Sequence, residues 1–329
     1  MKPELIAELA QSFEGKIEQA KILLKAAISS GANSAKFQIV YADELSTFDY
    51  QFYDLFKSLE MKDSDWLELN NLAKKNDINL YADIFGDKSL NLAEKMQLKA
   101  IKVHGTDISN IEFLNKIAKS QIPKVFLGIG GALKNEIYKA IEILGNKRIN
   151  LMLGFQSYPT PNHTNQISRF FLLKDLYDEV ELGFADHSNP DNKLSFTIPS
   201  MALACGATVI EKHLTLGKSM RMEDYESALN PDEFKEFSIL LKKSYKALGK
   251  FEDKEDFGMT NSEINYRKKI RRDVVASKNI KKGETIKPSY VSLKRSSHKK
   301  AIKKLEITFG KKALKNIKKN HPLTSKDIE

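Results

Sequence analysis

Eight short apolar runs, separated by segments of helical length, leave this chain few ways to fold. The runs cover residues 5–9, 34–40, 79–85, 100–105, 124–130, 150–155, 179–186 and 208–214. Amphipathic stretches at 16–29, 63–75, 87–96, 111–119, 134–144 and 168–177 lie between them, with further helical segments at 198–205 and 231–248. Strands alternating with helices pair in parallel, because each helix returns the chain to the same edge of the sheet. Eight such units within about 250 residues predict an α/β fold, a closed (β/α)8 TIM barrel rather than an open doubly wound sheet. No Gly-x-Gly-x-x-Gly fingerprint follows the first run, which also argues against the open sheet.

Charge divides the 329 residues unevenly. Residues 267–329 carry 21 Lys or Arg against 5 Asp or Glu, whereas residues 1–266 carry 32 against 38. The pattern predicts a barrel domain over 1–248, a polar linker over 249–266 and a small, strongly basic, β-rich module over 267–329. That module has two aromatic residues, Tyr290 and Phe309, a poor set of stacking platforms for single-stranded nucleic acid. No stretch approaches membrane-spanning length, and Glu4, Glu8 and Glu14 interrupt the N-terminal run. The single cysteine, Cys205, excludes an internal disulfide and reads as a buried, inert thiol. A cytoplasmic location is expected.

Parallel barrels place their chemistry at the carboxyl ends of the strands. There the chain offers Glu8, Lys36, Gln38, Asp83, Lys102, His104, Gln156, Tyr158, Asp186, His187, Glu211 and His213. Period-two alternation puts Lys36 with Gln38, Lys102 with His104, and Glu211 with His213 on one face each, the predicted barrel interior. A lysine inside a barrel mouth needs an anion, so Lys36 and Lys102 imply Glu8, Asp83 or Glu211 as partners, or an anionic substrate. His187 and His213, at the ends of the last two strands, can supply two ligands of a divalent metal and leave positions open for substrate. The alternative is an internal ion-pair network that fills the barrel.

Ala7-Glu8-Leu9, Lys36-Phe37-Gln38, Tyr158-Pro159-Thr160-Pro161, Asp186-His187 and Ile210-Glu211-Lys212-His213-Leu214 together resemble the sialic acid synthase family. Ala228-Leu229-Asn230-Pro231 extends the match. Arg271-Arg272, Ile280-Lys281-Lys282-Gly283-Glu284 and Phe309-Gly310-Lys311-Lys312-Ala313 are similar to that family's C-terminal antifreeze-like (SAF) domain. The resemblance implies a metal-dependent condensation of phosphoenolpyruvate with an N-acetylated amino sugar, giving a nonulosonic 2-keto acid and phosphate. It implies Mn2+ or Mg2+ on His187 and His213, Glu8 acting on water, and Lys102 on phosphoenolpyruvate. It assigns Gln38, Tyr158 and Asp224 to the sugar, with Lys36, Gln156 and Glu211 completing the pocket. It also implies a domain-swapped homodimer in which Arg295 reaches the partner's sugar site.

The chain departs from the family at the phosphate. Asp83, Gly105, Gly128 and Ala185 stand where the family places hydroxyl side chains, and Ser12-Phe13-Glu14-Gly15 replaces its Asn-His-Asn-Gly. Glycines 128, 130 and 131, His104 and Thr106 are the candidate replacements as donors to an anion. Three readings therefore stand beside a divergent synthase. One is an aldolase or lyase using metal or a Schiff base on Lys36 or Lys102. The others are a non-catalytic sugar-binding scaffold and a nucleic-acid-binding basic module.

Overall fold

The structure, a computed structural model, describes residues 2–145, 147–154, 157–191, 193–249 and 255–329. It divides into two compact units, residues 1–249 and 250–329. In the first, eight parallel strands close into a barrel in sequence order: β1 (Glu4–Ala10), β2 (Ser34–Gln38), β3 (Asn79–Ile84), β4 (Ala100–Val103), β5 (Lys124–Gly128), β6 (Arg148–Gly154), β7 (Glu181–Asp186) and β8 (Val209–His213). The closing pair β1–β8 sets Glu8 opposite His213.

Alternation along each strand sorts side chains into two compartments. Outward residues such as Leu5, Ala7 and Leu9 of β1, or Ala35 and Phe37 of β2, join the core beneath the surrounding helices. Within it Phe13, Phe37 and Trp66 meet edge to face, with ring centroids 5.3–6.0 Å apart. Inward residues stack in layers. Ile6, Tyr81, Ala100, Phe126, Met152, Ala185 and Val209 form an apolar floor, and the charged residues of the strand ends lie above it. Below, Ser34 and Tyr81 donate to Glu4 at 2.5 and 2.7 Å and plug the amino-terminal end.

β1 and β6 are longer than the apolar runs suggest, and the other six strands are shorter. β4 stops at Val103, and Gly105–Asp107 forms a 3-10 turn. β2 stops at Gln38, although the Ile39 N–H still donates to the Asp83 carbonyl of β3 at 3.0 Å. The helix between β7 and β8 begins earlier than expected, at Leu194, and runs to Ala204. Cys205 caps it and is partly rather than fully buried.

In the second unit β9 (Asp273–Ala276) and β10 (Val291–Lys294) pair antiparallel. Val274, Ile280, Ile286, Val291, Ile317 and Leu323 belong to its small core. Beyond the β9–β10 pair the β-rich character expected of the module is expressed as isolated bridges, such as Lys312 to Thr285 and Ala313 to Ile328. Buried Asp327 accepts from the Thr324 backbone at 2.7 Å and pairs with Lys315 at 2.6 Å, fixing the last turn. The expected linker also differs. Helix Asn261–Ile270 occupies its second half, started by a capping box of Thr260 and Glu263. This helix buries no side chain, so hydrophobic periodicity had no means of marking it. No helix among the described residues is long and apolar enough to cross a membrane.

Candidate active site

A cavity of about 660 Å3 opens at the carboxyl ends of the strands. Of the residues nominated from the sequence, Glu8, Gln38, Asp83, Lys102, His104, Tyr158, His187, Glu211, His213 and Asp224 line it. Lys36 lies beneath, fully buried. Gln156 falls outside the described residues. Arg295 is an exposed residue of the second unit.

Asp186 is a correction. Its neighbour Ala185 points inward, so Asp186 points to the outer side of β7 and does not line the cavity. There it is fully buried, accepts from Lys212 at 2.8 Å and from the Ser188 backbone at 2.8 Å. Its partners are structural, unlike those of the residues that line the cavity.

The interior lysines have the carboxylate partners that their burial demands. Lys36 is ion-paired with both Glu8 and Asp83, and Glu211 lies 3.6 Å away. Lys102 donates to Glu211 at 2.5 Å, with Asp83 at 3.9 Å. Asp83 is thus balanced by lysine and does not present a bare negative charge to a phosphate. Burial opposes the ammonium of Lys36, but Asp83, Glu211 and Glu8 outweigh it and raise its pKa, so it stays protonated. The carboxylates divide. Burial pushes Glu8 up to about 8, against the pull of Lys36. Burial would raise Glu211 too, yet Lys102 and Lys36 hold it down at about 2. Two acids of one cluster therefore differ in protonation at neutral pH, as acid and base partners do.

The imidazoles of His187 and His213 meet with ring centroids 4.8 Å apart. His187 Nδ1 lies 3.0 Å from the Ala185 carbonyl, so its N–H points there and its lone pair sits on Nε2. Surrounding protein atoms, and then Lys102, push His187 down to about 4. Burial, His187 and Lys36 also lower His213. Both rings are neutral at pH 7, the form that binds metals. His213 Nε2 is buried with no hydrogen-bond partner among the described residues. These features fit a divalent cation. Among the described residues no group of three or more His, Cys, Asp or Glu is arranged as a ligand set; the two imidazoles would hold the ion and leave its other positions to substrate and water.

Around this pair the wall is completed from neighbouring loops. Tyr158 stands 6.0 and 6.2 Å from the two imidazole rings. Asp224 adopts a left-handed backbone, φ 67°, a conformation that an aspartate tolerates better than most residues. Its burial raises it to about 6 despite the Tyr158 hydroxyl beside it. Gln38 accepts from Gln11 at 2.7 Å, a partner that the sequence reading missed. It also missed Tyr50, Phe52 and Phe56, which line the cavity from the segment after β2. The visible signal was five aromatic residues among positions 48–56 of an unusually long connection.

The glycines on the opposite wall serve packing. A Cβ at Gly105 would sit 2.8 Å from the Gly130 carbonyl oxygen, and one at Gly128 would sit 3.0 Å from the Gly105 nitrogen. The ends of β4 and β5 approach too closely for the hydroxyl side chains found there in the family resemblance.

A charged cavity at the carboxyl edge of a closed eight-stranded barrel is the arrangement of TIM-barrel enzymes. The chain belongs to the NeuB family, whose model matches residues 23–253, and an SAF domain follows at 271–329. It is a divergent member of this sialic acid synthase family. It is 33% identical to the uncharacterised protein MJ1065 of Methanocaldococcus jannaschii, over 95% of this chain and 90% of that one. It is 30% identical to the N,N'-diacetyllegionaminic acid synthase of Campylobacter jejuni, over 97% and 98%. The crystal structure of a putative spore coat polysaccharide biosynthesis protein E from Chromobacterium violaceum shares the fold with a TM-score of 0.84, covering all of both chains at 24% identity.

Proposed function

We propose that this protein condenses phosphoenolpyruvate with an N-acylated amino sugar to a nonulosonic 2-keto acid, releasing phosphate. The observation that carries the reading is the pair of neutral imidazoles facing one cavity with Lys102, Glu211 and Glu8. A family relative named as a legionaminic acid synthase supports it.

In this reading His187 and His213 hold the divalent ion, Mn2+ or Mg2+, which when bound polarises the sugar's aldehyde oxygen. Gln38, Tyr158 and Asp224 position the open-chain sugar, and His104 borders the donor. The enol carbon of phosphoenolpyruvate forms the new C–C bond with the aldehyde carbon, whose oxygen takes up the proton that Glu8 holds at neutral pH, leaving Glu8 as a carboxylate. Water then adds to the cationic C2 and gives its proton to the Glu8 carboxylate. The C2–O bond to phosphate breaks as C2 becomes a ketone. Lys102, steered by Glu211, meets the donor's anionic groups, while Lys36 and Asp83 hold Glu8 in place. Arg295 is assigned to the sugar site of a partner subunit in a domain-swapped homodimer. A Schiff base on Lys36, one of the two lysines of the lyase alternative, is disfavoured by its protonated state.

The test is phosphate release from phosphoenolpyruvate with Mn2+ and a panel of N-acylated hexosamines, for the native chain and for H187A and H213A. Release dependent on sugar, metal and both histidines is expected. No release with any sugar, from folded protein that binds Mn2+, overturns the reading.

A further inference from the structure

The residues between β2 and helix Asp63–Lys75 do more than connect them. Short helices at Ala42–Leu45 and Tyr53–Ser58 carry this segment over the carboxyl edge of the barrel. It is pinned in place. Glu44 accepts from the Lys88 and Ser89 backbones at 2.5 and 3.3 Å, Glu60 accepts from Ala42 at 2.9 Å, and Tyr53 donates to Asp43 at 2.6 Å. On this fixed base Tyr50 meets Phe52 edge to face at 5.7 Å and stacks on Phe56 at 6.1 Å. Tyr50 and Phe52 remain 45% and 46% exposed while lining the same cavity as the imidazoles.

An ordered aromatic cluster left half in water gains little from folding and is available to a ligand. The ligand's chemistry follows from what the cluster lacks. It presents ring faces, a single hydroxyl on Tyr50 and no cation, so it offers little to a phosphate or carboxylate, whose lysine and imidazole partners lie deeper in the barrel. It suits C–H-rich surface, such as the carbon chain and acyl methyl groups of an amino sugar.

We infer that Tyr50, Phe52 and Phe56 form the acceptor-specificity wall of this site, packing against the acylated carbon chain of the sugar whose carbonyl faces His187 and His213. The inference rests on the proposed reaction for the sugar's orientation, while its test reads binding directly. Aromatic faces preorganised in this way add affinity without ordering cost.

The experiment measures saturation-transfer NMR and calorimetric binding of N-acylated hexosamines to the full-length chain loaded with Mn2+, and to its F52A, F52L and Y50A variants, each checked for fold by circular dichroism. Sugar affinity is expected to fall about tenfold in F52A, with partial recovery in F52L and unchanged affinity for phosphoenolpyruvate. Ring protons of the three aromatics should take part in the transfer. Unchanged sugar affinity in F52A and Y50A overturns the inference, as does failure of the native chain to bind any such sugar. A change of oligomeric mass in F52A with sugar affinity unchanged also overturns it and makes the wall a contact between copies. Phe52-dependent sugar binding without phosphate release sinks the proposed reaction and leaves the wall standing.

Discussion

Lys212 donates to Asp186 across 2.8 Å, with neither side chain reaching solvent, on the side of the barrel wall away from the cavity. Each is the chain neighbour of one of the paired histidines. The ion pair therefore ties the end of β8 to that of β7 directly behind the two imidazoles. Removing one partner of a buried pair leaves an uncompensated charge and costs about 3–5 kcal/mol. D186N and K212M are expected to lose that much stability in urea unfolding. Their Mn2+ affinity should fall at least about tenfold at temperatures where they stay folded, as for other residues that orient metal ligands. Native-like Mn2+ titrations by electron paramagnetic resonance in both variants would refute the clamp.

Glu8 supplies a pH dependence of stability in the metal-free protein. Its folded pKa, about 8, exceeds the ordinary 4.5, so between these values the folded state holds a proton that the unfolded state has released. Stability contributed by this group is therefore complete below pH 4.5 and declines as pH rises towards 8. E8Q mimics the protonated acid and removes the decline. The two proteins should melt alike near pH 5, and E8Q should be the more stable near pH 8 by on the order of 3 kcal/mol. A melting-temperature difference that does not change between these pH values would contradict the assignment.

Restoring the family's hydroxyls at the glycine wall should harm the protein. In G105S the new Cβ meets a backbone carbonyl at 2.8 Å, and in G128S backbone atoms at 3.0 and 3.2 Å. Overpacking of this kind costs about 1–3 kcal/mol. Chemical denaturation of the two variants checks the expectation. Stability equal to that of the native chain would show that β4 and β5 separate easily, leaving room for side chains there.

Lys36 should resist covalent trapping. A Schiff base requires a neutral amine, and Lys36 is a fully buried ammonium held between Glu8 and Asp83. Borohydride added in the presence of pyruvate is expected to leave Lys36 unmodified in a peptide map. A reduced adduct mapped to Lys36 would favour the lyase reading.

Much of this site was visible before any coordinates. Period-two alternation put Lys36, Lys102, Glu211 and His213 on inward faces, and their barrel-facing positions follow from the same alternation in the strands. The cost of burying charge named the carboxylates that Lys36 and Lys102 would seek. Asp186 shows the limit of reading by adjacency. Standing beside a histidine at a strand end, it looks like part of the site, yet one residue's step along a strand turns its side chain to the opposite face. The helix at Asn261–Ile270 was hidden for another reason: a helix with no buried face leaves no periodic mark.

The sequence alone determined the barrel, the basic β-rich module after it, and the inward position of the charged residues, because strand period and helical spacing are local properties of the chain. Only the tertiary structure decided which acid carries a proton, which lysine pairs with which carboxylate, and that three aromatics from the connection after β2 stand over the cavity. Those outcomes depend on burial and on contacts between residues tens to hundreds of positions apart, which exist once the barrel closes.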